Sequence, residues 1–438
     1  MKTFSKGVHP FYNKDLTCNL SIEKISLSSK LVIPALQHLG SPSEVIVKKG
    51  DEVAIGQLIA KASGFVSANI HSPVFGKVAK ISPKPIVGGR MANHIEIDVD
   101  IEKTSQFVWE KQNIDLIKLA SEEIINKIKD AGIVGLGGAT FPTHIKYTPP
   151  KDKTIDILVI NGAECEPYLT CDHRLMVEKA DEILKAVEIV AKILPLKSII
   201  IGIEANKPDA IKTFNEKIKN YNLPIEVVPL KVKYPQGAEK MLIHATTKRV
   251  VPSGKLPLDV GVVVSNVGTL YAIYEAIYFN KPLIERVVTI SGDVVKKGGN
   301  FLVPIGTPIE HILSYVEVDL KKAYKVIFGG PMMGVAVPSL DYSITKGSSG
   351  ILFFSEKMAR VEEETPCIKC GSCMKACPMN LMPNRLASFS KAKKWDEIKN
   401  INLYDCMECG SCAFVCPAKI DIVGWIRYAK NYIKAKNL

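Results

Sequence analysis

The chain has 438 residues, and its 57 Lys and Arg against 45 Asp and Glu give a formal net charge of +12. Its hydrophobic fraction of 47% is that of a globular protein with more than one domain, and no run of about 18 apolar residues predicts a membrane-spanning helix. The N-terminus lacks the apolar segment of a secretory signal, so we expect a soluble protein made in the cytoplasm.

The net charge is compatible with a solvated lysine-rich surface, with an acidic protein partner or with an anionic membrane surface. Nucleic acid is not expected as a partner, because no basic run is interleaved with aromatic residues.

Residues 30–100 predict a small β domain. They contain "VKKGDEVAIGQLIA" and "SPVFGKVAKI", which are short β-prone runs separated by Gly and Pro.

The most glycine-dense loop of the chain follows, "DAGIVGLGGATFPTHIK" at residues 130–146. It lacks the Gly-Lys-Ser/Thr ending of a P-loop. It also departs from the Rossmann fingerprint, because Thr140 occupies the third glycine position and the loop follows a helical pattern. By itself the loop is compatible with a ligand-binding loop or with a structural turn.

After this loop, strand and helix patterns alternate. The β-prone runs "TIDILVINGAECEP", "KSIIIGIEAN", "IEVVPL" and "DVGVVVSNVG" are separated by helical patterns, the first of which is "CDHRLMVEKADEILKAVEIVAKIL". This spacing predicts an α/β layer with a mostly parallel sheet. Such sheets bind ligands at the carboxyl ends of their strands. The polar candidates at these ends are Gly162, Glu164, Glu166 and Asn266.

Glu164 and Glu166 stand two residues apart, which in an extended chain places both carboxylates on one face. The alternatives are a helix-capping turn and, for Asn266, a loop-stabilising hydrogen bond. Hydrolytic acid–base chemistry would not explain the cysteine runs described below. We interpret Cys165 and Cys171 as small buried residues, because the sequence places no His partner near them.

Two runs near the C-terminus, "CIKCGSCMKACP" and "CMECGSCAFVCP", hold eight of the eleven cysteines. Both have the spacing C-x2-C-x2-C-x3-C-P, in which three thiolates bind one iron–sulfur cluster and the fourth binds another. Zinc is the alternative, but zinc sites use separated cysteine pairs, and disulfides are not expected in the cytoplasm. We therefore predict two [4Fe–4S] clusters, one held by Cys367, Cys370, Cys373 and Cys416 and the other by Cys377, Cys406, Cys409 and Cys412.

The segment between the runs predicts one or two helices, with Leu386, Phe389 and Trp395 as core candidates. The C-terminal "DIVGWIRYAKNYIKAKNL" predicts an amphipathic basic helix. Its apolar face is compatible with packing against the cluster module, or with contact to a membrane surface or another subunit.

Four segments together resemble the flavin and NADH site of the 51-kDa-type subunit of respiratory complex I: "GLGGATFPTHIK", "NGAECEPYLTCDHRLM", "YPQGAEKMLI" and "SNVGTL". The N-terminal "KGVHPFYNKDLT" and the doubled cysteine run are more similar to the RnfC family of Rnf ion-translocating electron-transport complexes, because the complex I relative has a single-cluster tail. The resemblance extends over nearly the whole chain in matching order.

This resemblance implies FMN in the α/β domain, with NAD(H) stacked over the flavin. The glycine-loop residues that would lie against the flavin are Gly135, Gly137, Gly138 and Ala139. The candidates for contact with the nicotinamide nucleotide are Phe141 and Lys146, which with Glu166 are the catalytic candidates. The other implied cofactor contacts are Asn161 and Glu164 in the acidic turn, Tyr234 and Glu239 as a second flavin and nucleotide contact, and Asn266 and Thr269 at the phosphate end.

Two positions depart from the family pattern. Thr140 replaces a glycine, and its Cβ is expected to crowd the approach to the flavin or the nucleotide. Lys6 replaces a glycine in the N-terminal motif, with no expected consequence.

The resemblance also divides the chain into four predicted domains, of mixed α/β and α+β class. Residues 1–105 resemble a lipoyl-like barrel-sandwich hybrid, although no attachment lysine in a tight hairpin is evident. Residues 106–282 would form a Rossmann-like FMN/NAD(H) domain. Residues 283–352 resemble a soluble-ligand-binding β-grasp domain that braces it, and residues 353–438 a helical two-cluster ferredoxin domain.

A nicotinamide exchanges two electrons as hydride and a cluster accepts one, so FMN is the expected converter. We therefore expect the NAD(H)-handling subunit of a ferredoxin:NAD-type, ion-translocating oxidoreductase, peripheral on the cytoplasmic face of the cell membrane. Its expected partners are the other Rnf subunits, one of which would deliver electrons from ferredoxin. The alternatives are a soluble NADH-dependent reductase, such as a cobalamin reductase of related architecture, and a flavin-less iron–sulfur scaffold.

Overall fold

The computed structural model describes residues 1–436, so the last two residues of the predicted C-terminal domain, Asn437 and Leu438, lie outside the described residues. Its first strands are β1 (Ile22–Lys24), β2 (Lys30–Pro34), β3 (Glu44–Val45), β4 (Glu52–Val53), β5 (Leu58–Lys61), β6 (Ile70–His71), β7 (Gly76–Pro85) and β8 (Met91–Val99). Strands β2 to β8 form two small sheets in the orders β2-β8-β7-β4 and β3-β5-β6. Both sheets contribute to one apolar core, which confirms the predicted small β domain.

A parallel sheet with helices on both faces follows. Its elements are α1 (Ile101–Gln106), α2 (Ser121–Asp130), α3 (Thr143–Lys146), β9 (Ile157–Gly162), α4 (Cys171–Glu178), α5 (Ala180–Ile193), β10 (Ser198–Glu204), α6 (Pro208–Lys217), β11 (Ile225–Leu230), α7 (Glu239–Thr247), β12 (Val262–Asn266) and α8 (Val267–Phe279). The strand order is β11-β10-β9-β12, and every neighbouring pair is parallel. Because successive side chains of a strand point to opposite faces, Leu158 packs with α5 and α8 whereas Val159 packs with α7. The predicted α/β layer is confirmed.

The third unit is a mixed sheet. Its elements are β13 (Glu285–Ser291), β14 (Val295–Lys297), β15 (Gly299–Pro304), α9 (Ile309–Ile312), β16 (Glu317–Val318), β17 (Ala323–Phe328), β18 (Val335–Val337) and β19 (Gly350–Ser355). Six strands pair in the order β1-β15-β13-β19-β17-β18, so the N-terminal strand β1 joins this sheet and pairs parallel with β15. The segment predicted as one helix from Cys171 onward is two helices, because α4 turns to pack against β13 whereas α5 packs against α8.

The C-terminal unit is helical. Its elements are α10 (Glu356–Ala359), α11 (Ser372–Ala376), α12 (Pro383–Lys391), α13 (Trp395–Lys399), α14 (Ser411–Phe414) and α15 (Ile422–Lys436). Leu386 is fully buried in its core, and Phe389 and Trp395 pack against it. The apolar face of α15 lies in the same core through Ile422, Ile426, Ala429 and Ile433, which confirms packing against the cluster module.

The helices are short. Among residues 1–436 the longest helix, α15, has 15 residues, whereas about 20 are needed to span a bilayer. Within residues 1–436, the helices do not include one that is long and apolar enough to cross a membrane.

Lys346 holds three parts of the chain together. Its Nζ donates to the carbonyl oxygens of Asn69 (2.6 Å) and Gly132 (2.7 Å), and its backbone N–H donates to Oε1 of Gln37 (2.9 Å). The side chain is fully buried, and this burial lowers the pKa of the amine to about 7. A neutral amine has two N–H donors, which match the two carbonyl acceptors. Lys346 therefore ties the β domain to the end of α2, where the glycine-rich loop begins.

The buried amine predicts a pH-dependent stability. Its pKa in the folded state lies below its ordinary value of 10.5, so the folded chain binds fewer protons than the unfolded chain between pH 7 and 10.5. The free energy of unfolding of the wild type, relative to Lys346→Met, is therefore expected to rise by up to about 1.4 kcal/mol per pH unit in this window. Urea unfolding monitored by circular dichroism at pH 7, 8, 9 and 10 measures the difference.

The matched control for this experiment is Lys118→Met, at a solvent-exposed position. A difference between wild type and Lys346→Met that stays constant across the window would contradict the assignment of a neutral buried amine.

Candidate functional site

The glycine-rich loop lies at the carboxyl edge of the parallel sheet. Its ends pair, since the N–H of Gly135 donates to the carbonyl oxygen of Phe141 at 2.9 Å. The N–H of Leu136 donates to Oγ1 of Thr269 in the first turn of α8, also at 2.9 Å. The exposed tip of the loop consists of Gly137, Gly138 and Ala139. Thr269 thus positions the loop, and the tip remains open to a ligand.

Two asparagines lie near the ends of neighbouring strands at this edge of the sheet. A Cβ added at Gly137 would lie 3.2 Å from the Cβ of Asn266, so a larger residue here would require Asn266 to shift by a few tenths of an ångström. Asn266 ends β12 and caps α8, and its Nδ2 donates to Oδ2 of Asp172 at 2.7 Å. Its register partner on β9 is Asn161, whose Nδ2 donates to the carbonyl oxygen of Gly237 at 2.8 Å. Amide side chains therefore lie near the carboxyl ends of two adjacent strands, and that of Asn266 lies against the loop.

An ion pair stands beside the same edge. Nζ of Lys146 lies 2.9 Å from Oε1 of Glu239 and donates to the carbonyl oxygen of Val264 at 3.2 Å. The two side chains are 28% and 41% exposed, so both charges can reach a bound ligand. Phe141, at the end of the loop, is half-buried.

Thr140 adopts a φ of 50°, in the left-handed region where the family pattern has glycine. Its carbonyl oxygen accepts from the N–H of Leu39 at 3.3 Å. Its Cγ2 methyl would lie 3.1 Å from a Cβ added at Gly347. The backbone of Thr140 thus contacts the β domain, and its methyl group lies on the side of Gly347 in the third unit.

Glu164 caps a helix. Its carboxylate accepts from the N–H of Asp172 (2.7 Å) and of His173 (3.2 Å), at the start of α4. Glu164 has a φ of 44°, so the chain is not extended here and the expectation that its carboxylate shares a face with that of Glu166 is wrong. Burial raises the pKa of Glu164, and Lys14, 4.0 Å away, opposes that shift. The capping alternative is confirmed for this residue.

Glu166 binds the third unit. Its carboxylate accepts from the N–H groups of Met332 (3.1 Å) and Met333 (2.9 Å). The carboxyl group is enclosed although the residue as a whole is partly exposed. This desolvation raises the pKa of Glu166 to about 7, with the two backbone N–H donors acting in the opposite direction. Glu166 therefore links the acidic turn to the loop after β17.

The buried Tyr234 faces the cysteine module. Its hydroxyl group donates to the carbonyl oxygen of Cys409 at 2.7 Å and lies 3.4 Å from Oε1 of Glu166. Its backbone pairs with Val8 of the N-terminal segment. The polar end of this side chain is thus directed at the second cysteine run.

The structure gathers the eight cysteines into two groups of four. A cavity of about 380 Å³ is lined by Cys367, Cys370, Cys373 and Cys416. A second cavity is lined by Cys377, Cys406, Cys409 and Cys412. In each group three thiols come from one run and the fourth from the other. These all-sulfur donor sets fit iron–sulfur clusters.

The two groups differ in exposure. In the first, Cys367 and Cys370 are exposed. The second packs on the α/β unit, where Cys409 joins Val8, Cys165 and Tyr234 in one apolar cluster. Burial raises the pKa of the Cys406 thiol to about 11, so metal binding there must displace protons. The second group is therefore the interior one and the first is the surface one.

Sequence reasoning misses two contributors to this region. The loop at residues 329–334 binds Glu166, and a Cβ added at Gly330 would lie 2.1 Å from Oε2 of Glu166. Lys14 is buried and donates to the carbonyl oxygens of Glu166 (2.9 Å) and Leu169. Their signals in the sequence are the glycines of "FGGPMMG" and the lysine inside "KGVHPFYNKDLT", neither of which points to a contact with the acidic turn.

The edge of the sheet fits FMN. A loop tip of two glycines and an alanine permits close approach of a planar ring. Amide groups at Asn161 and Asn266 and the ammonium of Lys146 lie along this edge as donors for ring oxygens and a phosphate.

Three protein families match the chain. The RnfC barrel sandwich hybrid domain matches residues 2–102, the Nuo51 FMN-binding domain residues 128–275, and a 4Fe-4S dicluster domain residues 366–420.

Similar proteins match over nearly the full length. The C component of the proton-translocating ferredoxin:NAD(+) oxidoreductase complex of Clostridium ljungdahlii is 47% identical, covering 99% of this chain and 95% of that protein. The C component of the Na(+)-translocating complex of Acetobacterium woodii is 41% identical, covering 99% and 98%. The C component of the ion-translocating oxidoreductase complex of Haemophilus influenzae is 41% identical over 98% of this chain, which spans about half (52%) of that longer protein.

A solved structure shares the fold. A chain of an NAD+-reducing [NiFe]-hydrogenase in the H2-reduced state matches with a TM-score of 0.52 at 17% identity, covering 72% of this chain and 61% of that one. Fold and site thus define an iron–sulfur protein in which an FMN-binding-type domain is joined to a dicluster domain. The chain belongs to the RnfC family, the C components of ion-translocating ferredoxin:NAD oxidoreductase complexes.

Crossed ligation is testable by variants of single cysteines. Cys416→Ala and Cys370→Ala are expected to disrupt the same cluster, because both residues line one cavity. Each variant should retain about half of the cluster iron, and the double variant should lose no more than either single one. Iron content and the EPR signal of the reduced protein give the result.

Cys18→Ala, a cysteine outside both cavities, is the control. If Cys416→Ala instead removed the signal that Cys412→Ala removes, the ligation would be uncrossed.

Proposed function

We propose that this chain exchanges electrons between NAD(H) and a one-electron carrier, through FMN and two [4Fe–4S] clusters, within a complex that couples the reaction to ion translocation. The observation that carries this proposal is the contact between the carboxyl edge of the parallel sheet and the interior cysteine group, through Tyr234 and Cys409. The similar proteins of Clostridium and Acetobacterium are named for this reaction, with the proton as the translocated ion in the first and Na(+) in the second.

FMN, when bound, would supply the conversion between two-electron and one-electron transfer, because it accepts one hydride, which carries two electrons, and can release those electrons one at a time. The chain's own residues hold and orient the reactants. The backbone of the loop at Gly135, Gly137, Gly138 and Ala139 supports the flavin, with Asn161 and Asn266 below it. Lys146, paired with Glu239, attracts the anionic nucleotide, and Phe141 offers a ring for stacking.

The two cysteine groups would hold the two clusters in a defined order along the module. The interior group at Cys377, Cys406, Cys409 and Cys412 is proximal to the flavin unit. The surface group exposes Cys367 and Cys370, and this is where a partner protein of the complex exchanges electrons originating from ferredoxin. Because these ligands are exposed, a cluster carried by the partner protein can come close to the surface group.

The surrounding units support this site. The order β11-β10-β9-β12 matches the 3-2-1-4 arrangement of a Rossmann-like half, to which we assign the parallel sheet. We assign the third unit to the β-grasp type. It braces the flavin unit through Lys346 and through the Met332 and Met333 N–H groups on Glu166. We place the chain as a peripheral subunit on the cytoplasmic face of the membrane.

An anaerobic NADH titration of the cluster-reconstituted protein with FMN tests the function. NADH should bleach the flavin absorbance and generate the EPR signals of reduced clusters. Reduction of the Lys146→Ala variant should require at least about tenfold more NADH than reduction of the wild type, because a charge-assisted hydrogen bond contributes about 1.5–3 kcal/mol. Lys118→Ala, on the exposed surface, is the control.

A wild type that binds no FMN would contradict the proposal. The variant Thr140→Gly, which restores the glycine of the family's loop, shows whether Thr140 is the reason that FMN does not bind. FMN binding by that variant alone would make the natural chain a flavin-less electron-transfer scaffold.

A further inference from the structure

Tyr234 lies at a junction of three segments. Its side chain is 1% exposed and packs in the apolar cluster with Val8, Cys165 and Cys409. Its backbone is fixed on both sides, since its N–H donates to Val8 (2.9 Å) and its carbonyl accepts from Val8 (2.8 Å). The ring therefore has little freedom to turn its hydroxyl group elsewhere.

The hydroxyl group forms its hydrogen bond with a cysteine of the interior group. It donates to the carbonyl oxygen of Cys409 at 2.7 Å, whereas its 3.4 Å separation from Glu166 is too long for a strong second bond. This hydrogen bond connects the α/β unit to the cysteine module across 175 residues of sequence.

The surroundings hold this contact rigidly. Gly410, the next residue after Cys409, packs so closely that an added Cβ would lie 2.8 Å from the carbonyl oxygen of Met332. Met332 in turn donates its N–H to Glu166. The backbone of the second cysteine run thus contacts Tyr234 on one side and the third unit on the other.

We propose that Tyr234, rather than contacting the flavin, is a positioning residue that raises the reduction potential of the interior cluster relative to the surface cluster. This inference rests on the proposed function, because it assigns a cluster to the interior group. The hydroxyl group donates to the backbone of Cys409, whose thiol lines the interior cavity, so the positive end of its O–H dipole lies on the side of that residue. A reduced cluster carries one more negative charge, so this O–H dipole favours the reduced form. The buried surroundings strengthen the effect.

The test is Tyr234→Phe, which keeps the ring and removes only the hydroxyl group. A mediated dithionite titration followed by EPR gives the midpoint of each cluster, with the signals assigned through Cys370→Ala and Cys409→Ala. We expect the equilibrium constant for reduction of the interior cluster to fall about tenfold, which is a shift of its midpoint by about 59 mV to lower potential. The midpoint of the surface cluster should be unchanged. Iron content equal to that of the wild type shows that the module has folded.

Tyr147→Phe is the matched control, because it removes an equally buried hydroxyl group that bonds only to Oγ of Ser265 at 2.7 Å. Both midpoints should stay at wild-type values. An unmoved interior midpoint in Tyr234→Phe, or an equal shift of both clusters, would overturn the inference. Because dithionite needs neither NADH nor FMN, this result is separate from failure of the proposed function, which would appear as clusters that NADH cannot reduce.

Discussion

The docking of the second cysteine run on the carboxyl edge of the parallel sheet is the interaction on which the rest of the structure depends. The N-terminal segment ties the first run to the same region, since the N–H of Gly7 donates to the carbonyl oxygen of Ala376 at 3.1 Å while Val8 pairs with Tyr234. Asp405, just before the second run, accepts from Oγ of Ser253 at 2.5 Å. Because single electrons move only between closely spaced centres, the flavin unit and the module must be held in one fixed arrangement. These contacts provide it.

The acidic turn at residues 163–172 is fixed by buried charges. Lys207 is fully buried, donates to the carbonyl oxygen of Ala163 at 2.7 Å and lies 3.6 Å from the equally buried Glu204. Lys14 holds the same turn from the N-terminal side. Burying such ions costs desolvation free energy, which their partners only partly offset. The burial of these charged groups therefore lowers the stability of the chain, while their contacts give the turn between the sheet and the module a defined shape.

Much of the fold follows from local sequence patterns. The alternation of strands and helices predicts the α/β layer because helix and strand periodicities are local properties. The doubled cysteine spacing predicts which thiols can meet, and the structure places them in two groups of four.

Other features depend on contacts that local patterns do not encode. The pairing of β1 with β15 joins segments nearly 280 residues apart. The φ of 44° at Glu164 turns its carboxylate to α4, although the spacing suggested an extended chain. The partner of the Tyr234 hydroxyl group lies in another unit, so no pattern around "YPQGAEKMLI" reveals it. Family resemblance predicts the site residues, but long-range packing determines what each of them contacts.

The order of electron transfer is the central claim, and rapid freeze-quench EPR after mixing with NADH tests it most directly. In Cys370→Ala, which disrupts the surface group, the interior cluster should still be reduced at the wild-type rate. In Cys409→Ala, the flavin should bleach while the surface cluster stays oxidised. Reduction of the surface cluster at the wild-type rate in Cys409→Ala would contradict the account.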